Sequence, residues 1–342
     1  MFEFLIIFRS VTGSLNNTKV EPKKMKKFGL LIFVILIGIS FKAVSEDNAD
    51  STRSWKLNGN STLTFNQLHF SNWAEGGESS LSGSGWLNVK VGHYWKKLNS
   101  ERNLILGLGV LRTQERDLRK TEDKIDYTSI FGYKAFKNWN YTSLINFKSQ
   151  FTNGYRYPDD STLISTFMAP GYLTLSLGMQ YKPSDNFTIF ISPASGRFTF
   201  VLNEQLANKG SFGVKPAVYS NDSLHTLLTT GKKIKPEFGI NVNAQLKREI
   251  FTNVSIESRL ILYNNYLDED IHNRWNIDVN WDALINFHIN KFLSSSLRLN
   301  LLYDHNIKIK QYAEVDGHQV VIGEGPRLQF KESFGIGLNY KF

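Results

Sequence analysis

Towards the end of the chain, hydrophobic side chains fall on every second position. Leu328, Phe330, Phe334, Ile336, Leu338, Tyr340 and Phe342 take the even numbers, interrupted by Glu332, while Gln329, Lys331, Ser333, Gly335, Gly337, Asn339 and Lys341 take the odd ones. A period of two, with one apolar and one polar face, describes a strand lying between two unlike environments. The same division separates Trp275, Ile277, Val279, Trp281, Ala283, Ile285, Phe287 and Ile289 from Asn276, Asp278, Asn280, Asp282, Asn286, His288 and Asn290. These segments are long. A soluble strand has about five or six residues, whereas a tilted membrane-spanning strand needs about nine to eleven.

Applied along the chain, the pattern predicts twelve strands near residues 55–69, 80–95, 102–113, 124–136, 138–151, 171–182, 186–201, 236–247, 251–264, 275–289, 293–309 and 328–342. Long connections (70–79, 114–123, 152–170, 202–235, 265–274, 310–327) alternate with short ones at 96–101, 137, 183–185, 248–250 and 290–292. An even strand count with alternating loop lengths predicts an all-β fold, a transmembrane antiparallel up-and-down β-barrel with short periplasmic turns and long outer loops. A soluble sandwich or lipocalin-like barrel would not carry strands this long or so continuous an apolar belt. No apolar run long enough for a membrane helix follows Phe41. Trp55, Tyr94, Trp95, Trp139, Tyr141, Tyr172, Tyr181, Trp275, Tyr340 and Phe342, near strand ends, are candidates for the two aromatic girdles. Apolar positions change parity between Phe65 and Leu68, which predicts a bulge near residues 67–70.

The start of the chain reads differently. Met25-Lys26-Lys27 precedes an apolar run from Phe28 to Phe41, and Ala43 and Ser45 supply small residues before the acidic Glu46-Asp47. This is the form of a cleaved secretory signal over residues 25–45, with residues 1–24 an upstream extension, 46–54 a periplasmic tail and 55–342 the barrel. The formal charge of +9 sits largely in this leader, and beyond residue 45 there remain 33 basic and 29 acidic residues without a dense basic patch. Nucleic acid is therefore not an expected partner. The absence of cysteine excludes a disulfide framework, a Cys-ligated metal and a lipid-anchoring cysteine.

If Phe334, Ile336 and Leu338 face lipid, the opposite parity faces a lumen. Asn241, Asn243, Gln245, Lys247, Glu257, Arg259, Asp278, Asp282, His288, Arg298, Asn300, Asp304 and Lys308 then point inward. An Arg or Lys on the lipid face near the midplane costs about 2–4 kcal/mol, so inward placement is the cheap one. These residues either pair across neighbouring strands and fill a narrow barrel, or line a path for small hydrophilic solutes. Their balanced signs argue against strong ion selectivity.

The residues Ser71-Asn72-Trp73-Ala74-Glu75-Gly76-Gly77 after the first strand resemble the hallmark of an uncharacterised Bacteroidetes family of outer-membrane proteins, a domain of unknown function. Residues 124–133, Asn146-Phe147-Lys148, Ala169-Pro170-Gly171-Tyr172, residues 178–183, Ser192-Pro193 and residues 196–201 fit it as well. The resemblance implies an outer-membrane location and a barrel, and no activity. Asn72, Trp73, Gly76 and Gly77 are read as a turn carrying a girdle tryptophan or as a loop folded into the barrel mouth. The terminal Phe342 resembles the signal by which outer-membrane proteins reach the barrel-assembly machinery.

Porin-like passage of small solutes is the leading expectation, with a closed barrel acting as a surface binding module as the alternative. A third reading, an outer-membrane lipid hydrolase, rests on the spacing of His69 and Ser71. No paired histidine motif predicts a metal, and Gly107-Leu108-Gly109 and Gly323-Glu324-Gly325 do not open helices as phosphate cradles do, so no cofactor is expected. The charged run from Arg112 to Lys124 is read as an outer loop. Membrane lipid, lipopolysaccharide, periplasmic chaperones and the barrel-assembly machinery are the expected partners. Mass spectrometry of membrane-extracted protein is expected to find a mature start near Glu46; persistence of residues 1–24 would contradict the leader assignment.

Overall fold

Twelve long strands close into an antiparallel barrel in the computed structural model, which describes residues 53–68, 79–113, 118–157, 161–221, 225–290, 292–315 and 318–342. The leader, His69 and the Ser71–Gly77 motif with Asn72, Trp73, Gly76 and Gly77 lie outside the described residues. The barrel strands are β1 (Arg53–Leu68), β2 (Ser80–Trp95), β3 (Leu98–Thr113), β4 (Arg119–Phe136), β5 (Trp139–Ser149), β6 (Gly171–Tyr181), β7 (Phe187–Phe200), β8 (Ile234–Phe251), β9 (Val254–Asn265), β10 (Asp278–His288), β11 (Leu293–Tyr303) and β12 (Gln329–Lys341). Each pairs with its neighbours in sequence. Asn60–Thr64 of β1 pairs with Gly337–Lys341 of β12 and closes the ring.

The distribution of side chains is the reverse of a soluble core. Buried positions on the strands are mostly polar, among them Thr62, Asp126, Thr128, Asn146, Ser176, Gln180, Glu237, Asn241 and Asn243. Outward positions are large and apolar, with Phe65, Leu81, Phe131, Leu177, Phe238, Phe330, Phe334, Ile336 and Leu338 all exposed. Alternation along each strand produces this sorting, because successive Cβ atoms point to opposite faces. No helix among the described residues is long and apolar enough to cross a membrane.

Several boundaries move relative to the sequence pattern. β4 starts at Arg119, so Arg119–Asp123 belong to a strand and the charged run at residues 112–124 is not simply a loop. Lys120 pairs with Asp123 at 3.1 Å, and Glu122 with Lys331 at 2.8 Å. The ladder tolerates charges there because they meet partners in the folded barrel. β11 ends at Tyr303, so Asp304 and Lys308 leave the barrel wall; Lys308 begins a separate hairpin of Lys308–Val315 with His318–Pro326. Alternation continues through the hairpin, which hid the break. The turn expected at 248–250 lies at Thr252–Asn253, where Asn253 takes φ 68°, a conformation asparagine tolerates better than most residues. β1 and β2 stay in register through Gln67 and Leu68, so no bulge interrupts the first part of the expected 67–70 stretch, and residues 69–70 lie outside the described residues.

One end of the barrel carries the short connections, Lys96–Lys97, Lys137–Asn138, residues 182–186, Thr252–Asn253 and residues 289–292. Both termini of the barrel domain lie at this end, where Gly59 and Phe342 exchange backbone hydrogen bonds of 2.8 and 2.9 Å. Aromatic side chains gather there too: Trp139 lies 5.0 Å from Tyr181, Tyr340 lies 6.1 Å from Phe342, and Trp55 stacks on His93 at 4.2 Å. Two girdle candidates face the other way. Tyr94 donates to Glu101 at 3.0 Å inside the barrel, and Tyr172 lies on the inward parity of β6, beside Lys148 and Thr199 in the register. Their parity, not their position near a strand end, decides the face.

The long connections at the opposite end are partly structured. Residues 201–233 hold the short helix α1 (Glu204–Asn208), capped by Asn203, whose side chain accepts from the Leu206 amide at 3.1 Å. Leu206 and Ala207 pack with Val201, Val214 and Ala169 into a small apolar core, flanked by Leu163 and Phe212. Lys215 reaches Glu269 at 2.7 Å, which ties this loop to the one after β9.

Phe334 sits near the middle of β12 on the apolar face. Phe334→Arg is expected to lower the unfolding free energy by about 2–4 kcal/mol in lipid vesicles, measured by urea titration of tryptophan fluorescence, with Phe334→Leu changing it little.

Candidate functional site

The barrel lumen collects the polar face of all twelve strands and is the candidate site. Twelve is an informative number. About eight strands leave an interior that side chains fill, whereas 16–18 leave a water channel, so in a barrel between these the side chains themselves decide whether space remains.

Near the long-loop end, Arg197 of β7 is the hub. Its Nε donates to Glu237 Oε2 at 2.7 Å, and Nη2 donates to Glu237 Oε1 at 3.0 Å and to Asp278 Oδ2 at 2.6 Å. Lys235 adds a second cation at 2.9 Å from Glu237, and the Arg197 guanidinium lies 4.1 Å from the Tyr263 ring centre. The Glu237 side chain is only 1% accessible, and such a buried carboxylate is stable only when paired in this way. The adjoining wall is distorted. A bulge at Ser192–Ala194 lets the Ser192 hydroxyl reach Leu177 O at 2.7 Å, while the Ser195 hydroxyl lies 2.7 Å from that of Ser176.

Further along, side chains meet across the lumen rather than along the wall. Arg259 of β9 approaches Asp126 of β4 at 3.4 Å, although the two strands stand five places apart in the ring. Asp126 also accepts from Asn146 Nδ2 at 2.7 Å. Lys124 of β4 and Asp282 of β10, six places apart and so diametrically opposed, lie 3.6 Å from one another, and Asn300 Nδ2 donates to Asp282 at 2.8 Å. This second pair is not sealed: its side chains remain 30% and 32% accessible. Asp282 sits near the middle of β10, so accessible space persists at mid-height. Inward amide oxygens of Asn88, Asn103, Asn241, Asn243 and Asn280 meet no donor among the described residues. Leaving such an oxygen buried without a donor costs about 1–3 kcal/mol.

At the short-turn end, Lys247 pairs with Glu257 at 2.6 Å, and Lys182 with Glu101 at 3.1 Å. Burial alone would pull the Lys182 ammonium down, but the Glu101 and Asp185 carboxylates outweigh it and hold its pKa above the ordinary lysine value. His288 lies 3.4 Å from Lys341 Nζ. Arg298 of β11 stacks over the Trp86 ring of β2, its guanidinium 4.2 Å from the ring centre.

Of the residues singled out from sequence, Lys247, Glu257, Arg259, Asp278, Asp282, His288 and Arg298 thus lie on the inner parity of their strands. Asp304 sits beyond the end of β11, in the loop, where it accepts from the Asn306 amide at 2.8 Å. The sequence reading passed over Trp86, Lys90, Lys124, Asp126, Lys148, Arg197 and Glu237. The signal was available, since Lys124, Asp126 and Thr128 alternate with Ile125 and Tyr127. The inward set expected from sequence begins only at β8.

The outer wall carries a groove of about 830 Å³ lined by Leu98, Phe131, Tyr133, Trp139, Tyr141 and Leu177 among others. It is apolar and opens away from the lumen, as a lipid-facing surface should.

Residues 65–155 match a family described as a protein of unknown function (DUF3078). No functionally curated protein matches the chain. Among solved structures, the COG4313 outer membrane channel from Pseudomonas putida F1 is similar at 11% identity, over 87% of this chain and 100% of that one, with a TM-score of 0.34. The NanC porin is similar at 8% identity, over 83% and 99%, with a TM-score of 0.32. The translocator domain of the autotransporter NalP from Neisseria meningitidis is similar at 11% identity, over 92% and 98%, with a TM-score of 0.28.

Arg259→Met would strand the nearly buried Asp126 carboxylate. A loss of about 3 kcal/mol is expected by urea unfolding in vesicles, at the low end for a broken buried pair because Lys148 is the register partner of Asp126. Adding Asp126→Asn should restore most of it.

Proposed function

We propose that this chain is an outer-membrane β-barrel that passes small hydrophilic solutes through its lumen. The closed ring supports membrane insertion, since in lipid an open sheet edge would leave backbone groups unpaired. The exposed apolar wall supports the same reading. The observation that carries passage is the Lys124–Asp282 pair, which crosses the lumen at mid-height and remains about one-third accessible. A barrel packed solid would bury that pair.

In this reading the short turns and both barrel termini face the periplasm, and the loop built on α1 faces outward. Export by the leader at residues 25–45, recognition of Phe342 by assembly machinery, escort by periplasmic chaperones and contact of the outer rim with lipopolysaccharide belong to the same proposal. So does a Bacteroidetes origin. The match over residues 65–155 includes the Ser71–Gly77 motif that prompted it.

A closed barrel acting as a surface binding module is the second reading. It is favoured by the Arg259–Asp126 and Lys331–Glu122 contacts, which also bridge the lumen, and by the small apolar core that Val201, Leu206, Ala207 and Val214 build in the long connection after β7. The lipid-hydrolase reading rests on His69 and Ser71 alone, and unchanged lipid turnover after Ser71→Ala would remove it.

Refolded barrel in a planar bilayer should give discrete conductance steps, and replacing both Lys124 and Asp282 by alanine should raise the unit conductance. A silent bilayer, with folding verified by heat-dependent gel mobility, would favour the closed barrel.

A further inference from the structure

We infer that the lumen selects small anions over cations, an inference that rests on the channel reading above. The reason lies in how the inward charges are partnered, not in their totals. The lumen carboxylates described above, Asp126, Glu237, Asp278 and Asp282 among them, each have a cation within ion-pair distance. Glu249, on the inner parity of β8 near the short-turn end, has no such partner among the described residues, but Lys341 and His288 share its rim.

The cations are not matched in return. Lys90, Lys148 and Arg298 all take inward parity, and among the described residues none has a carboxylate at ion-pair distance. Lys90 is exposed on the lumen side of β2. Lys148 neighbours Asp126 in the ladder, yet Arg259 from across the barrel takes that carboxylate. Arg298 faces the Trp86 ring, which draws the cation by its quadrupole without cancelling its charge. Neutralised carboxylates beside uncompensated cations leave a positive potential along the path. Such a field concentrates anions and excludes cations, as rings of Arg and Lys do in anion pores.

The test uses the refolded mature protein in planar bilayers under a KCl gradient, reading the reversal potential. Chloride is expected to permeate better than potassium. Lys90→Gln should lower the chloride-to-potassium permeability ratio by about two- to fourfold, since a unit charge roughly 5 Å from an ion in water acts at about the fourfold level before screening. Arg298→Gln should lower it further, and Lys90→Arg should preserve it. A potassium preference in the unaltered barrel, or a ratio unmoved by both Lys90→Gln and Arg298→Gln, would overturn the inference while leaving the channel in place. A silent bilayer with verified folding would bring down the channel reading on which it rests.

Discussion

The short pairing of β1 with β12 is the contact on which the rest of this structure depends. Between Asn60–Thr64 and Gly337–Lys341 a sheet that would otherwise have two raw edges becomes a ring. In hydrocarbon each unpaired backbone amide costs several kcal/mol, and no water is present to relieve it. The closing ladder is much shorter than that between β1 and β2, which runs from Arg53–Trp95 to Leu68–Ser80. Phe342 lengthens it by one turn of hydrogen bonds with Gly59. Glycine at 337 suits this seam, since a side chain there would run into Leu63 O of the facing strand.

Closure also creates the chemical problem of the interior. Once the apolar parity faces outward, everything polar is confined to one lumen, and charges too far apart to interact along the wall can meet across it. Arg197 resolves this locally, chelating Glu237 on the adjacent strand and Asp278 beyond it. Arg259 and Lys124 resolve it by spanning the barrel. Lateral pairing leaves the middle open, whereas spanning pairs narrow it. The lumen contains both, so its interior is constricted rather than wide.

The two ends answer to different constraints. Turns of two to five residues at one end need only compact backbone geometry, met by residues such as Asn253 in the left-handed region. At the other end the 201–233 loop is long enough to need a core of its own, and Leu206, Val201 and Val214 provide one. Its tie to the next loop through Lys215 and Glu269 is an exposed ion pair, which orders the surface at little gain in stability.

Period-two alternation made the barrel, its strand count and nearly all its strand positions legible from sequence, because which face a residue takes is a local consequence of the pleat. The same rule assigned Lys247, Glu257, Arg259, Asp278, Asp282 and Arg298 to the inner parity. It misjudged Tyr94 and Tyr172, where strand-end position was weighed above parity, and it carried β11 too far, because the outer hairpin after Asp304 alternates as well. What alternation could not supply is which inward charges meet. Asp126 and Arg259 are 133 positions apart, and the distance between them is set by the curvature and stagger of the closed sheet. That Asp126 goes to Arg259 and leaves Lys148 without an ion pair among the described residues was therefore decided by tertiary structure alone, since Coulomb attraction acts through space and not along the chain.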